Sequence, residues 1–286
     1  IENKSNSFGL RLKDGKVLWG SKYTRTLEFP LIVRRKDTYA QQTFLDKTKF
    51  IRFFARMIRG ERRFFIQAVK EGTPPPKKRQ YGEGKPAVGI DLSPSTLVAY
   101  SPGTAVIEEL APDCEDSKAA LRRVNRAIDR SYRATNSEAY NENGTFKKGC
   151  RLVPSKRCQK LQAKRKELFR KQAAVRKQSH EKAANELIAQ STDIKVEDTA
   201  VTSWTARAKE TTVNRKNGKI HSKKRFGKTV ARRAPAMLLS IIDRKLKYRG
   251  YALKRVISRQ VKASQYDHST GQYRKKRLCD RWCVID

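Results

Sequence analysis

Two acidic positions stand out as able to do metal chemistry. Asp91 ends the apolar run 87–90, and Glu197, with Asp198 beside it, ends the run Asp193-Ile-Lys-Val-Glu-Asp198. A short apolar run bounded by turn residues reads as a buried central strand. An ionised carboxylate in or at the end of such a strand is costly unless it is paired or holds a cation. The simpler use of Asp91 is to open the turn at Ser93-Pro94-Ser95. Glu197 and Asp198 face opposite ways on a strand, because side chains alternate. Other catalytic groups are poorly represented. His180, His221 and His268 have no nucleophile arranged near them, and Gly82-Glu-Gly84 is too short for a phosphate-cradling loop. Cys279 and Cys283 form one pair where a structural zinc needs two, so structural zinc is not expected.

The elements that position these acids sit in a very basic chain. The 286 residues carry 66 Lys and Arg against 28 Asp and Glu, a net charge of +38. The excess runs along the whole length, so the expected partner is a polyanion, with nucleic acid the commonest choice. No apolar run is long enough for a membrane span and no secretory signal opens the chain, so a membrane role is not expected. The five cysteines, Cys114, Cys150, Cys158, Cys279 and Cys283, read as reduced thiols of a cytoplasmic protein, associated with the nucleoid when bound to DNA. Both ends read as cut from a longer chain.

Residues 1–80 predict strands. Residues 8–19 alternate around Asp14-Gly15 as a hairpin, 27–33 is a strand with Pro30 marking an edge or bulge, 43–59 is ambiguous and 63–69 is a strand. Their basic residues interleave with aromatics, as in small barrels that track a nucleic-acid backbone, although aromatic core plus solvated charge reads equally well. A Pro/Gly linker, ending over 81–85, leads into a second domain over 86–262. There, strands at 87–91, 96–100 and 105–110 precede a basic helical insertion at 118–190, with helices over 119–134 and 155–190. A strand at 193–198, an aperiodic stretch, a helix over 232–249 stopped by Gly250 and a strand over 251–258 complete it. Residues 263–286 are basic and turn-rich.

Three meandering strands, helices, a strand, a long helix and a strand is the order of the RNase H-like α/β fold. In that fold carboxylates at the ends of adjacent central strands hold divalent metal at a scissile phosphate, and Asp91 and Glu197 are the two it requires. Hard oxygen donors suit Mg2+ or Mn2+, with Asp198 turned away. Arg122, Arg123, Lys160, Lys164, Arg165, Lys228, Arg232, Arg233, Lys275 and Lys276 are the expected contacts to nucleic acid.

Val88-Gly-Ile-Asp-Leu-Ser-Pro-Ser-Thr-Leu-Val-Ala99 resembles the first RuvC motif of TnpB-like transposon-encoded nucleases and the related type V CRISPR effectors. Ile194-Lys-Val-Glu-Asp198 resembles the second, and 226–237 resembles the basic segment that follows it. Residues 1–80 resemble part of the wedge-type domain. The resemblance implies an RNA-guided, metal-dependent DNA endonuclease with guide RNA and target DNA as partners, Asp91 and Glu197 as catalytic metal ligands, and no small-molecule cofactor. Two departures stand beside it. The zinc-ribbon region, 263–286, is degenerate, with no cysteine in 263–271. The third carboxylate has no match, since Asp267, Asp280 and Asp286 lie in the wrong context. A nuclease-dead RNA-guided DNA binder and a basic RNA-binding structural protein are the rival readings.

Overall fold

The computed structural model describes residues 5–7, 9–21, 23–72, 74–75, 80–115, 117–198, 200–214, 218, 220–221, 226–262, 265–267 and 270–273. The chain divides into two units, residues 1–78 and 79–286. Lys275, Lys276, Cys279, Cys283 and His268 lie outside the described residues.

In the first unit β1 (Leu10–Lys13) and β2 (Lys16–Trp19) form the expected hairpin, and β3 (Leu27–Pro30) adds antiparallel to β2. Asp14 (φ 48°) and Gly15 (φ 69°) both take the left-handed conformations that a two-residue hairpin turn demands. Pro30 ends an edge strand, where its missing N–H costs no ladder bond. The ambiguous stretch resolves into α1 (Thr38–Leu45), capped by Asp37 accepting from the Ala40 N–H, and then the long β4 (Thr48–Ile58). β4 pairs with β5 (Glu61–Lys70) around Arg59-Gly60. The barrel expectation is corrected here. A three-stranded sheet and a two-stranded ribbon are not joined by a ladder among the described residues. They pack face to face through Leu10, Val17 and Ile51, which is enough to bury each apolar face without closure.

The second unit is a mixed α/β body on a five-stranded sheet. β6 (Val88–Leu92), β7 (Thr96–Ser101) and β8 (Thr104–Glu109) form an antiparallel meander. α2 (Ser117–Thr135) and α3 (Lys156–Gln190) form the basic hairpin, and β9 (Ile194–Glu197) then returns parallel to β6. α4 (Val201–Thr205), α5 (Gly227–Arg233) and α6 (Pro235–Lys247) lead to β10 (Lys254–Val256), parallel to β9, and to the short α7 (Ser258–Val261). The order β10-β9-β6-β7-β8 makes β6 the central strand, as its apolar run implied.

One face of the sheet is buried. Val88, Ile90, Leu92, Leu97, Ala99, Ile194 and Val196 pack against Ala184, Leu187 and Ile188 of α3 and Leu238, Ile242 and Leu246 of α6. The first half of α3 packs elsewhere, where Cys158, Leu161 and Leu168 meet Val124, Ile128 and Tyr132 of α2. At about 1.5 Å per residue its 35 residues run roughly 50 Å, joining the hairpin to the sheet in one rigid element. Gly82 explains its place in the linker: a Cβ there would lie 2.5 Å from the Gln190 backbone, and its N–H donates to the Ile188 carbonyl. It is a close-approach glycine at the end of α3.

Two elements are shorter than predicted. The single helix expected over 232–249 is broken, because Pro235 starts a new helix at N1 and Ala234 takes a left-handed conformation (φ 48°) to turn the corner. The last strand keeps three residues, limited by the three-residue ladder to β9.

Candidate functional site

Strand register brings the two acids together. In the parallel β6–β9 ladder Val88 faces Ile194, Gly89 faces Lys195 and Ile90 faces Val196. One further step sets Asp91 beside Glu197. Val88, Ile90, Ile194 and Val196 are buried, so by alternation Gly89, Asp91, Lys195 and Glu197 share the opposite, exposed face. The expectation of a desolvated Asp91 is corrected: it stands on the central strand but on the open face, where a carboxylate keeps its water. Neither Asp91 nor Glu197 makes a side-chain hydrogen bond or ion pair among the described residues.

The turn after Asp91 is stiff. The Ser93 N–H donates to the Thr96 carbonyl, the Ser95 and Thr96 N–H groups donate to Ser93 Oγ, and the two hydroxyls of Ser93 and Thr96 lie 2.6 Å apart. Asp91 therefore projects from a strand closed two residues later, and the Ser-Pro-Ser turn is capped by serine and threonine hydroxyls, without Asp91. Asp198 is turned away as expected, its carboxylate 3.0 Å from Arg255 Nη1 and its N–H donating to the Val256 carbonyl.

Two carboxylates on one face of adjacent parallel strands suit a hard divalent ion that keeps several waters and shares a substrate phosphate. Among the described residues no group of three or more His, Cys, Asp or Glu comes together. Asp267, one of the three acids weighed for the third position, lies in a small turn where its N–H donates to the Gln272 carbonyl, and Tyr266 and Tyr273 form an isolated bridge. Asp280 and Asp286 lie outside the described residues. Lys195, two residues before Glu197 and on the same open face, was not picked out from sequence; the period of two would have shown it.

The basic positions divide by burial. Arg122, Arg123, Lys160, Lys164 and Lys228 are exposed, and Arg165 and Arg232 are half-buried. Between α2 and α3 a groove of about 440 Å³ is lined by Arg123, Arg126, Arg130 and Lys164 over a floor of Val124 and Leu161. Arg126 and Arg130 were missed in the sequence; their spacing from Arg123 on one helical face was the available signal. Arg233 is a correction. It is 5% exposed, its Nη1 donates to the Leu110 carbonyl at 2.6 Å and its Nη2 pairs with Glu109 at 3.2 Å. A guanidinium spent this way clamps α5 to β8 and does not reach a phosphate.

His180 and Arg176 of α3 complete that clamp. His180, 1% exposed, donates from Nε2 to the Arg233 carbonyl at 2.7 Å, and Arg176 Nη1 donates to the Ala231 and Arg232 carbonyls. Burial, helped by the Arg176 charge, holds His180 below its ordinary value of 6.5, against the pull of the carbonyl hydrogen bonds. The unfolded chain therefore binds the proton better. The stability that neutral His180 contributes is complete above about pH 6.5 and is lost as pH falls below it. Melting temperature should drop more steeply between pH 7 and 5 in the wild type than in His180→Gln; parallel curves would remove this role.

No protein-family model and no curated protein matches the chain. Among solved structures it aligns with a chain of a cryo-EM structure of a Cas12f1-sgRNA-target DNA complex, with TM-score 0.42 and 13% identity. The alignment covers 93% of this chain and 52% of that one, so this chain spans about half its length. Among the described residues no helix is long and apolar enough to cross a membrane.

Proposed function

We propose that this chain is the RuvC-bearing part of an RNA-guided, divalent-metal-dependent DNA endonuclease of the TnpB-like family. The observation that carries the reading is the placement of Asp91 and Glu197 side by side on the open face of adjacent parallel strands. Those are the motif positions that the sequence resemblance assigns to metal binding. Residues 1–78 would then correspond to part of a wedge-type domain and 79–286 to an RNase H-like domain with its basic insertion.

Asp91 and Glu197 would hold Mg2+ or Mn2+ from one side and leave its other positions to water and the scissile phosphate. The ion, when bound, activates a water and stabilises the leaving oxygen. Of the chain's own residues, the Ser93–Thr96 turn would fix the end of the strand that carries Asp91, Arg255 would keep Asp198 paired, and Lys195 would face the incoming backbone. The α2–α3 groove takes phosphates without reading bases, which fits guidance by RNA pairing in place of protein contacts to sequence.

A nuclease-dead RNA-guided DNA binder is the second reading, in which Asp91 and Glu197 stand on the open face without cutting DNA. Purifying the protein with its co-bound RNA and measuring binding to matched and scrambled DNA tests the guided reading. Tight binding to matched DNA alone is expected. Equal binding to both would leave a plain basic nucleic-acid binder. In the same titrations log K should fall linearly with log salt, and Arg123→Gln, Arg126→Gln and Arg130→Gln should each reduce the slope on duplex DNA by about 0.9. A slope unchanged in the triple variant would take the groove out of the interface.

A further inference from the structure

The β4–β5 ribbon of the first unit has two unlike faces. Register places Ile51, Phe53, Ile66 and Ala68 on the side packed against Leu10, Val17 and Phe29. Alternation puts Arg52, Phe54 and Arg56 on the other side, directly across from Gln67, Phe65 and Arg63. On this outer face the rings of Phe54 and Phe65 stack with centroids 5.8 Å apart and planes inclined by 20°. The Arg56 guanidinium lies 5.0 Å from the Phe54 ring centroid and 6.0 Å from that of Phe65. Arg52 lies 5.6 Å from the centroid of the Phe50 ring. Arg52, Arg56, Arg63, Phe65 and Gln67 are all exposed.

The sequence left the interleaved aromatics of this region between core and nucleic-acid surface; the structure divides them, one set to each face. Phe65 is 37% exposed and Phe54 half-buried, and apolar area left in water on a solvated face costs about 25 cal/mol per Å². The neighbours of this pair are guanidinium groups held over the rings, and the acidic residue nearest the tip, Glu61, is already paired with Arg63 at 3.2 Å in an exposed contact of small worth. Residues 1–78 as a whole carry 19 Lys and Arg against 7 Asp and Glu. An acidic or polyanionic occupant with flat apolar groups fits this surface.

We propose that the outer face of the β4–β5 ribbon is a stacking platform for unpaired bases of an RNA, with Phe54 and Phe65 taking the bases and Arg52, Arg56 and Arg63 the backbone. A duplex hides its base faces in its own stack, so a phenyl platform of this kind selects unpaired nucleotides. The assignment rests on the reading of this chain as one that holds RNA.

The test uses the full chain and a short fluorescein-labelled oligouridine, with a fully paired RNA duplex and an oligothymidine as comparators. F54A/F65A should bind oligouridine about 10-fold or more weaker, in line with about 1–3 kcal/mol per stacked base, with duplex affinity and the salt slope unchanged. F54Y/F65Y should bind like the wild type, which separates loss of stacking from loss of the fold. Arg56→Gln should instead lower the single-strand salt slope by about 0.7. Wild-type oligouridine affinity in F54A/F65A, with matched-DNA binding retained, would overturn the platform and leave the guided reading standing. An equal loss on duplex would also overturn it, as would a loss confined to oligothymidine. A wild-type chain that binds none of the three probes would overturn the platform together with the reading it rests on.

Discussion

Replacing Asp91 with alanine should abolish DNA cleavage, by about 10³-fold or more, while affinity for RNA and DNA stays within about twofold. The size follows from the several kcal/mol that a bound divalent ion contributes to phosphoryl chemistry, at about 1.4 kcal/mol per factor of ten. The selectivity follows from the geometry. Asp91 is exposed, makes no side-chain bond among the described residues, and sits on a strand whose turn is closed by Ser93 and Thr96. On the proposed reading its removal would take a ligand from the metal and little from the fold. Glu197→Ala should match it, and the double variant should be no worse than either single one, because groups that hold one ion act as a unit. Asp198→Ala is the control: it breaks only an exposed pair with Arg255, of about 0–1 kcal/mol, and should cut nearly as well as the wild type. Rates and affinities measured on matched DNA with co-bound RNA check all four. A wild-type protein that binds matched DNA tightly but does not cut it would replace the nuclease with the nuclease-dead binder.

The second large effect concerns stability. Lys245 on α6 is 1% exposed, and its ammonium pairs with Glu181 at 2.7 Å while donating to the Glu181 carbonyl and to Asn185 Oδ1 on α3. Burial works against the Glu181 carboxylate, but the hydrogen bonds and charges of Lys245 and Arg244 outweigh it and hold Glu181 below the ordinary carboxylate range. Lys245→Ala leaves Glu181 with Arg244 alone, empties the site the buried stem fills and takes the donor from Asn185 Oδ1 and the Glu181 carbonyl, and should lower unfolding free energy by about 2–5 kcal/mol, whereas Arg244→Ala, from a half-exposed pair, should cost under about 1 kcal/mol. Replacing both partners, Lys245→Met with Glu181→Leu, should recover much of the loss, since the desolvation of both charges goes with them. Urea midpoints at unchanged slope provide the measurement. Near-equal losses for Lys245→Ala and Arg244→Ala would show that the buried pair is not the clasp between α3 and α6. Because the depressed group is an acid, the contribution of the pair is present above about pH 4.5 and is lost as pH falls further.

Much of this arrangement was legible before the structure. Apolar runs bounded by turn residues predicted β6, β7, β8 and β9 within a residue or two, and the helix expected from 155 starts at Lys156, with Ser155 as the cap whose Oγ accepts from the Cys158 N–H. Alternation alone separated Glu197 from Asp198. What the sequence could not show were features set by tertiary pairing. The exposure of Asp91 depends on which face of the sheet α3 and α6 cover, and nothing in the run 87–92 carries that choice. Arg233 looked like its neighbours, because a basic residue destined for a buried clamp with Glu109 and the Leu110 carbonyl is chemically the same as one facing phosphate. The break at Pro235 was legible, since a proline starts a helix and cannot continue one. In the first unit a barrel was expected where, among the described residues, two sheets pack without a joining ladder, since closure depends on the register between distant strands.

The most direct test of the account is manganese binding to the purified chain, followed by electron paramagnetic resonance of free Mn2+. The account predicts a saturable site in the wild type, weakened about 10-fold or more in Asp91→Ala and again in Glu197→Ala, and unchanged in Asp198→Ala. Equal manganese affinity in the wild type, Asp91→Ala and Glu197→Ala would contradict it, and would return these two acids to the role of solvated residues on an open sheet face.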